Sequence, residues 1–204
     1  MLLLRVQLPD RPGSLGQVAT AMGTVGADIS AIEIVEKQQG SVINDFMLTM
    51  PPNSLPDTLV SACNELPGVQ VLWLSRYPEN WGLESDIDLL DRISADPARA
   101  SETLTAHAPV VFHSQWAAVV NADGSSTTSQ LAPELDDEAI SALGPLDEAA
   151  TRDLPEGWLP GWGETTIAFA PLQNGSALVL GRQGGPAYLV SEVRRLQHLA
   201  GMTL

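Results

Sequence analysis

Residues 10–15, with the sequence Asp10-Arg11-Pro12-Gly13-Ser14-Leu15, join an apolar segment to a strongly periodic one. The segment before them, Leu2 to Leu8, ends in the alternation of apolar and polar residues that is typical of a half-buried strand. From Leu15 as far as Val25, apolar residues recur every three or four positions, which predicts an amphipathic helix with a buried apolar stripe. A Pro-Gly pair between a strand and a helix leaves backbone amides open to an anion or a small ligand. The same pair also occurs in ordinary turns, so the rest of the chain must decide between the two interpretations.

The pattern continues with two more strands, a second helix and a last strand. The strands are predicted at 29–35, 42–50 and 69–74, and the helix has Leu59, Cys63 and Leu66 on its buried side. Ser54 is the expected N-cap of that helix, with Asp57 completing a capping box. The order β-α-β-β-α-β is the split βαβ arrangement, an antiparallel sheet with both helices on one face.

Three motifs carry a resemblance to a known family. They are the turn at 10–15, the stretch Gly26-Ala27-Asp28-Ile29 after the first helix, and Leu66-Pro67-Gly68-Val69 before the last strand. In this pattern residues 1–76 resemble an ACT domain, the amino-acid-sensing domain of many metabolic enzymes and regulators. The resemblance implies a ferredoxin-like fold and two copies that join their sheets edge to edge. It also implies allosteric regulation by an amino acid bound where the copies meet.

The resemblance also implies which residues bind the ligand. They come from the turn before the first helix and the turn after it: Asp10, Arg11, Gly13, Ser14, Leu15, Asp28 and Ile29. Amides at a helix N-terminus suit a carboxylate, and a side-chain oxygen accepts from an ammonium group. Ligand-binding members would have asparagine where this chain has Asp10 and Asp28, and an ionised aspartate only accepts hydrogen bonds. The ligand is therefore more cationic, or held by the amides alone, or the site has lost its function.

The second half begins after a linker predicted at 77–84. Residues 85–204 resemble a GAF domain in their order of helices, antiparallel strands and a closing helix, and in Pro171-Leu172 with Asn174-Gly175. The resemblance implies small-molecule binding or pairing, and it names no ligand because no cyclic-nucleotide signature is present. Helices are predicted at 86–93, 97–107, 133–143 and 189–199; strands at 110–121, 125–130, 165–172 and 176–181; and an irregular loop at 154–163.

Residues that could carry catalysis in this half do not form a known pattern. His113-Ser114 lacks the Gly-x-Ser-x-Gly turn of a serine hydrolase, and the three histidines lack metal-ligand spacing. The run 136–138 is acidic and is typical of a solvated helix start. Trp158 and Trp162 either anchor the irregular loop or line a pocket.

Composition sets the remaining limits. The 204 residues carry a net charge of −15, which argues against nucleic acid and anionic membranes as partners. The single cysteine, Cys63, excludes an internal disulfide and reads as a core residue. The N-terminal apolar segment is short and interrupted by Arg5 and Gln7, so no signal peptide is indicated and we expect a cytoplasmic protein.

These observations predict an α+β protein of two domains that acts by binding rather than by catalysis, without metal or cofactor. We expect a homodimer that binds an amino acid and regulates through contacts between copies or with a protein partner. One alternative is an ACT-like dimer without a ligand that docks on an enzyme or regulator. The other is a hydrolase or transferase activity in the C-terminal domain.

Overall fold

The computed structural model describes residues 1–76 and 84–202, so the predicted linker lies outside the described residues except for its last position. The chain divides into two compact units, Met1–Asn80 and Trp81–Leu204. Within the described residues there are six α-helices and two antiparallel sheets, a mixed α/β structure consistent with the α+β class.

The first unit has the β-α-β-β-α-β order that the sequence predicts. Its elements are β1 Leu2–Pro9, α1 Ser14–Thr24, β2 Asp28–Gln38, β3 Ser41–Thr49, α2 Pro56–Asn64 and β4 Gln70–Arg76. The sheet order is β2-β3-β1-β4, and every neighbouring pair is antiparallel. Strands β2 and β4 are therefore the two edges.

The core of the first unit lies between the helices and one face of the sheet. Alternate residues of β1 and β3 pack there against α1 and α2, which follows from the two-residue period of a strand. The buried members are Leu4, Val6, Leu8, Val18, Met22, Val42, Phe46, Leu48, Leu59 and Cys63. Helix α2 begins one residue later than predicted: Leu55 is its N-cap and Pro56 its first residue, so the prediction that Ser54 caps it is wrong.

The centre of the opposite face carries an ion pair rather than an apolar contact. Arg5 on β1 and Asp45 on β3 face each other in register, and the guanidinium donates two hydrogen bonds of 2.8 Å to the carboxylate. Both side chains are buried. A two-pronged contact of this kind is among the stronger protein hydrogen bonds.

The second unit is a five-stranded antiparallel sheet between helices and a long loop. Its elements are α3 Glu84–Ala95, a 3-10 turn Pro97–Arg99, α4 Ala100–Val111, β5 Trp116–Val120, β6 Ser126–Thr128, α5 Asp137–Leu143, β7 Ala150–Asp153, β8 Thr165–Pro171, β9 Ala177–Gln183 and α6 Val190–Gly201. The strand order is β6-β5-β9-β8-β7. One face packs on α3, α4 and α6. The other packs on α5 and on residues 154–162, so both faces bury apolar side chains.

Several boundaries of this unit differ from the predicted ones, and the largest differences lie between α4 and β5 and at the start of α5. The strand predicted at 110–121 begins only at Trp116, because α4 continues through Pro109 to Val111. The helix predicted at 133–143 begins at Asp137, with Asp136 as its N-cap. Strand β7 was not predicted.

Candidate functional site

The turn before α1 places backbone amides at one end of the first unit. The Arg11 N–H donates to the Pro9 carbonyl, and the Ser14 N–H to the Arg11 carbonyl. Gly13 has a φ of 90°, a conformation that residues with a side chain rarely adopt, and it is the N-cap of α1. No side chain caps the helix, and its first internal bond runs from the Gln17 N–H to the Gly13 carbonyl. The amides of Leu15 and Gly16 precede that bond and carry the partial positive charge of the helix end.

Ser14 is the most unusual residue of this turn. The residue is only 4% exposed, although it is the first residue of the helix. Among the described residues its hydroxyl oxygen has no hydrogen-bond partner. Buried hydroxyl groups are normally paired, because leaving one unpaired is unfavourable.

Asp10 lies at the same end of the sheet and pairs with a residue that the sequence analysis did not select. Its backbone N–H donates to the Gly40 carbonyl at the β2–β3 turn. Its carboxylate lies 3.5 Å from the Nζ of Lys37, and both side chains are exposed. Lys37 is the only lysine of the chain, which was the one signal that could have drawn attention to it. An exposed pair adds little to stability, but it offsets the charge of Asp10 beside the helix end.

Asp28 and Ile29 lie at the opposite end of the sheet. Asp28 faces Thr49, the last residue of β3, whereas Pro9 faces Ser41, the first. Nine residues of extended strand separate these ends by about 27 Å, at about 3.4 Å per residue. Within one copy, therefore, the structure groups Asp10, Arg11, Gly13, Ser14 and Leu15 and leaves Asp28 and Ile29 far from them. Leu15, predicted in the buried stripe of α1, is 39% exposed.

In the second unit, Ser114 lies in a polar cluster that holds two helix ends together. The Ser114 and Tyr188 hydroxyl groups are 2.7 Å apart. Arg182, fully buried, donates to the carbonyls of Phe112 and His113 at the end of α4. It also donates to Glu192 in the first turn of α6. Burial raises the pKa of Tyr188 well above its usual value, so its hydroxyl stays protonated at neutral pH. These contacts join the end of α4 to the start of α6, which is a structural role.

Three tryptophans form a second cluster on the other face of the same sheet. Trp116 stacks on Trp158 with ring centroids 6.2 Å apart, and Trp162 meets both edge to face. The Trp116 ring covers Gly181, its partner across β5 and β9, so closely that a Cβ there would lie 1.9 Å from a ring atom. Beside Trp162 a cleft of about 280 Å³ opens to solvent.

Other candidate groups have ordinary surroundings. Among the described residues no group of three or more His, Cys, Asp and Glu side chains could hold a metal ion. Burial raises the pKa of the Cys63 thiol to about 11, which leaves it un-ionised at neutral pH. Within residues 1–76 and 84–202, no helix is long and apolar enough to cross a membrane.

Comparisons with known proteins do not identify the chain. No family model matches the sequence, and no curated protein is similar to it. Among solved structures it is similar to the crystal structure of an unknown protein from Galdieria sulphuraria, with 13% sequence identity and a TM-score of 0.31. The alignment covers 88% of this chain and 79% of that one.

Proposed function

We propose that this chain is a regulatory protein whose first unit binds an amino acid at the N-terminus of α1. The observation that carries the proposal is the buried, unpaired hydroxyl of Ser14 at the start of an uncapped helix. A ligand carboxylate could accept from the amides of Leu15 and Gly16, and from this hydroxyl after rotation of the Ser14 side chain out of its buried position. Carboxylate binding there would satisfy three donors with one group.

The arrangement of the first unit supports an ACT-like assignment. Its element order and its β2-β3-β1-β4 sheet are consistent with the ferredoxin-like fold that the resemblance implies. The glycines of the three motifs also have the expected backbone conformations: φ is 90° at Gly13, 79° at Gly26 and 77° at Gly68. These positions favour glycine in a turn, as the resemblance requires.

The exposed edge of the same sheet supports a homodimer. Strand β2 is an edge, and it exposes the side chains of Ile32 and Ile34 by 41% and 58%. An edge strand with exposed apolar residues favours pairing with another strand. If two copies pair antiparallel along β2, Asp28 of the second copy approaches the end of the sheet that carries Asp10. The pairing would bring together residues that one copy keeps apart.

The charged side chains around the proposed site would determine how a bound amino acid is oriented. Lys37 offsets Asp10, so repulsion between Asp10 and the ligand carboxylate is reduced. Asp28 of the second copy would accept hydrogen bonds from the ligand ammonium group. Binding would therefore tie the two copies together, and the affinity of the ligand would be coupled to dimerisation.

The second unit fits the proposal as a GAF-like domain. Its antiparallel sheet follows two helices and precedes a closing helix, an order consistent with the resemblance. The contact of Ser114 with Tyr188 does not favour a hydrolase activity, because the Ser114 hydroxyl is already hydrogen-bonded within the polar cluster that joins α4 to α6. We assign no separate reaction to this unit.

A thermal-shift screen of the twenty amino acids tests the proposed function. An amino acid at 100 times its Kd should stabilise the protein by about 2.7 kcal/mol. The Ser14→Ala variant should bind that amino acid about tenfold more weakly, since it loses a hydrogen bond to a charged group. Ser61→Ala, at an exposed position of α2, is the matched control and should bind normally. If no amino acid raises the melting temperature, the ligand-free docking role is the better account.

A further inference from the structure

The cleft beside the tryptophan cluster of the second unit has the lining of a binding site. We propose that it binds a small organic cation, an ammonium or guanidinium group carried on an apolar body. Its volume is about 280 Å³, enough for a ligand of a few heavy atoms. The lining residues are Pro133, Glu134, Asp136, Leu159, Pro160 and Trp162. The proposal does not depend on the site at α1.

The aromatic wall of the cleft is held in place. Trp162 packs edge to face against Trp116 and Trp158, with ring centroids 6.5 Å and 6.4 Å away. Trp162 lines the cleft, and an indole ring that is already ordered binds a cation more favourably than a mobile one; indole is also the strongest of the side-chain rings in this contact. Leu159 and Pro160 give the cleft an apolar surface for the body of the ligand.

Two carboxylates stand at the same cleft. Glu134 is exposed and forms no hydrogen bond or ion pair with any other described residue. One oxygen of Asp136 accepts from the Ala139 N–H at 2.8 Å, which fixes the carboxylate at the start of α5 and leaves its second oxygen available. An aromatic face together with carboxylates is a combination that suits an organic cation.

The charge of the sequence favours the same class of ligand. Residues 81–204 contain 17 acidic and 6 basic residues, a net charge of −11. A field of this sign attracts cations and repels anions. Because only two carboxylates line the cleft and the rest of the lining is apolar or aromatic, an organic cation fits it better than a metal ion.

Amide and indole NMR of the full chain tests the proposal with n-butylammonium as the probe and n-butanol as its neutral counterpart. The indole N–H resonance of Trp162, assigned through Trp162→Phe, should shift in a saturable way with n-butylammonium and not with n-butanol. Glu134→Gln should weaken binding roughly fivefold, because it removes one charge and keeps the side-chain size. Glu138→Gln, an exposed acid of α5 outside the cleft lining, is the matched control and should change the affinity less than about twofold.

Three results would overturn the proposal. The first is the absence of a saturable shift of the Trp162 resonance up to about 50 mM n-butylammonium, a concentration that saturates a site of millimolar affinity. The second is an equal shift with n-butanol, and the third is equal weakening of binding by Glu134→Gln and Glu138→Gln. A second titration, with a lysine residue blocked at both termini, distinguishes the source of the cation. Tighter binding of the blocked lysine than of n-butylammonium would support a protein side chain, and the reverse order a free amine.

Discussion

At the scale of single residues, Ser14 connects the packing of the first unit to its proposed function. A buried hydroxyl without a partner is unfavourable for folding, and a ligand carboxylate would relieve that cost. Leu15, the next residue, shows that the spacing of apolar residues does not by itself identify the buried ones. It has the spacing of the buried stripe, but the stripe at the start of α1 runs through Ser14, Val18 and Met22. A pattern of apolar residues cannot place a serine in the core.

The first prediction concerns the free energy of unfolding without ligand. Replacing Ser14 by Ala removes the unpaired hydroxyl, so the variant should be as stable as the original or more stable by up to about 1 kcal/mol. Urea unfolding followed by circular dichroism measures the change, with Ser61→Ala as the control. A loss of more than about 1 kcal/mol would show that the hydroxyl is paired in solution.

The second prediction concerns Gly181. Because a Cβ there would lie 1.9–2.3 Å from the Trp116 ring, Gly181→Ala must displace the tryptophan cluster and should cost about 3 kcal/mol of stability. Gly163→Ala is the control, since its nearest contact would be a glutamine side-chain nitrogen at 3.8 Å. Thermal unfolding compares the two, and equal melting temperatures would contradict the observed packing.

At the scale of elements, the buried Arg182 joins the end of α4 to the start of α6. It donates to the carbonyls of Phe112 and His113, pairs with Glu192 at 2.7 Å, and lies 3.9 Å from the centre of the Tyr188 ring. Glu192 in turn accepts from the Leu189 N–H and completes the helix start. One guanidinium thus satisfies groups on both helices.

The third prediction follows from this arrangement. Arg182→Met leaves a buried carboxylate without its partner and should cost about 3–5 kcal/mol. The double change Arg182→Met with Glu192→Leu should recover part of that loss, because no unpaired charge remains buried. Arg99→Met breaks the exposed Arg99–Glu102 pair and should change stability by less than about 1 kcal/mol. Urea unfolding of the three variants tests the prediction, and a double variant no more stable than the single one would oppose it.

The boundaries of the first unit were predicted better than the boundary between α4 and β5, and the difference has a physical cause. In the first unit the turns contain glycines with positive φ, and the strands alternate, so the sequence specifies their boundaries. In α4 the run 110–112 is apolar and looks like a strand, yet Leu104, Ala108 and Val111 are spaced for a helix that packs on the sheet. Tertiary packing decided that boundary against local preference. The separation of Asp10 from Asp28 follows from the β-α-β order itself, because α1 lies between them and carries the chain from one end of the sheet to the other.

At the scale of the whole molecule, the proposed site requires two copies of the chain. The structure places Asp10 and Asp28 at opposite ends of one sheet, and the exposed β2 edge offers a way to bring them together. Binding, dimerisation and the exposed isoleucines of β2 are therefore coupled in the proposed dimer.

The fourth prediction is that the protein is a dimer at micromolar concentration. Ile34→Asp should give a monomer, because a charge on the edge of β2 opposes strand pairing. Ile87→Asp changes an isoleucine of α3 that is 62% exposed and should leave the dimer intact. Sedimentation equilibrium distinguishes these states. A monomeric original chain, or a dimeric Ile34→Asp variant, would contradict the proposed pairing.

The most direct measurement of the central claim is the response of the α1 amides to amino acids in NMR of the isotopically labelled protein. The account predicts that one amino acid shifts the amide resonances of Leu15 and Gly16 in a saturable way, and that Ser14→Ala weakens this response about tenfold. No saturable shift of these two amides with any of the twenty amino acids would contradict the claim that this helix start binds one.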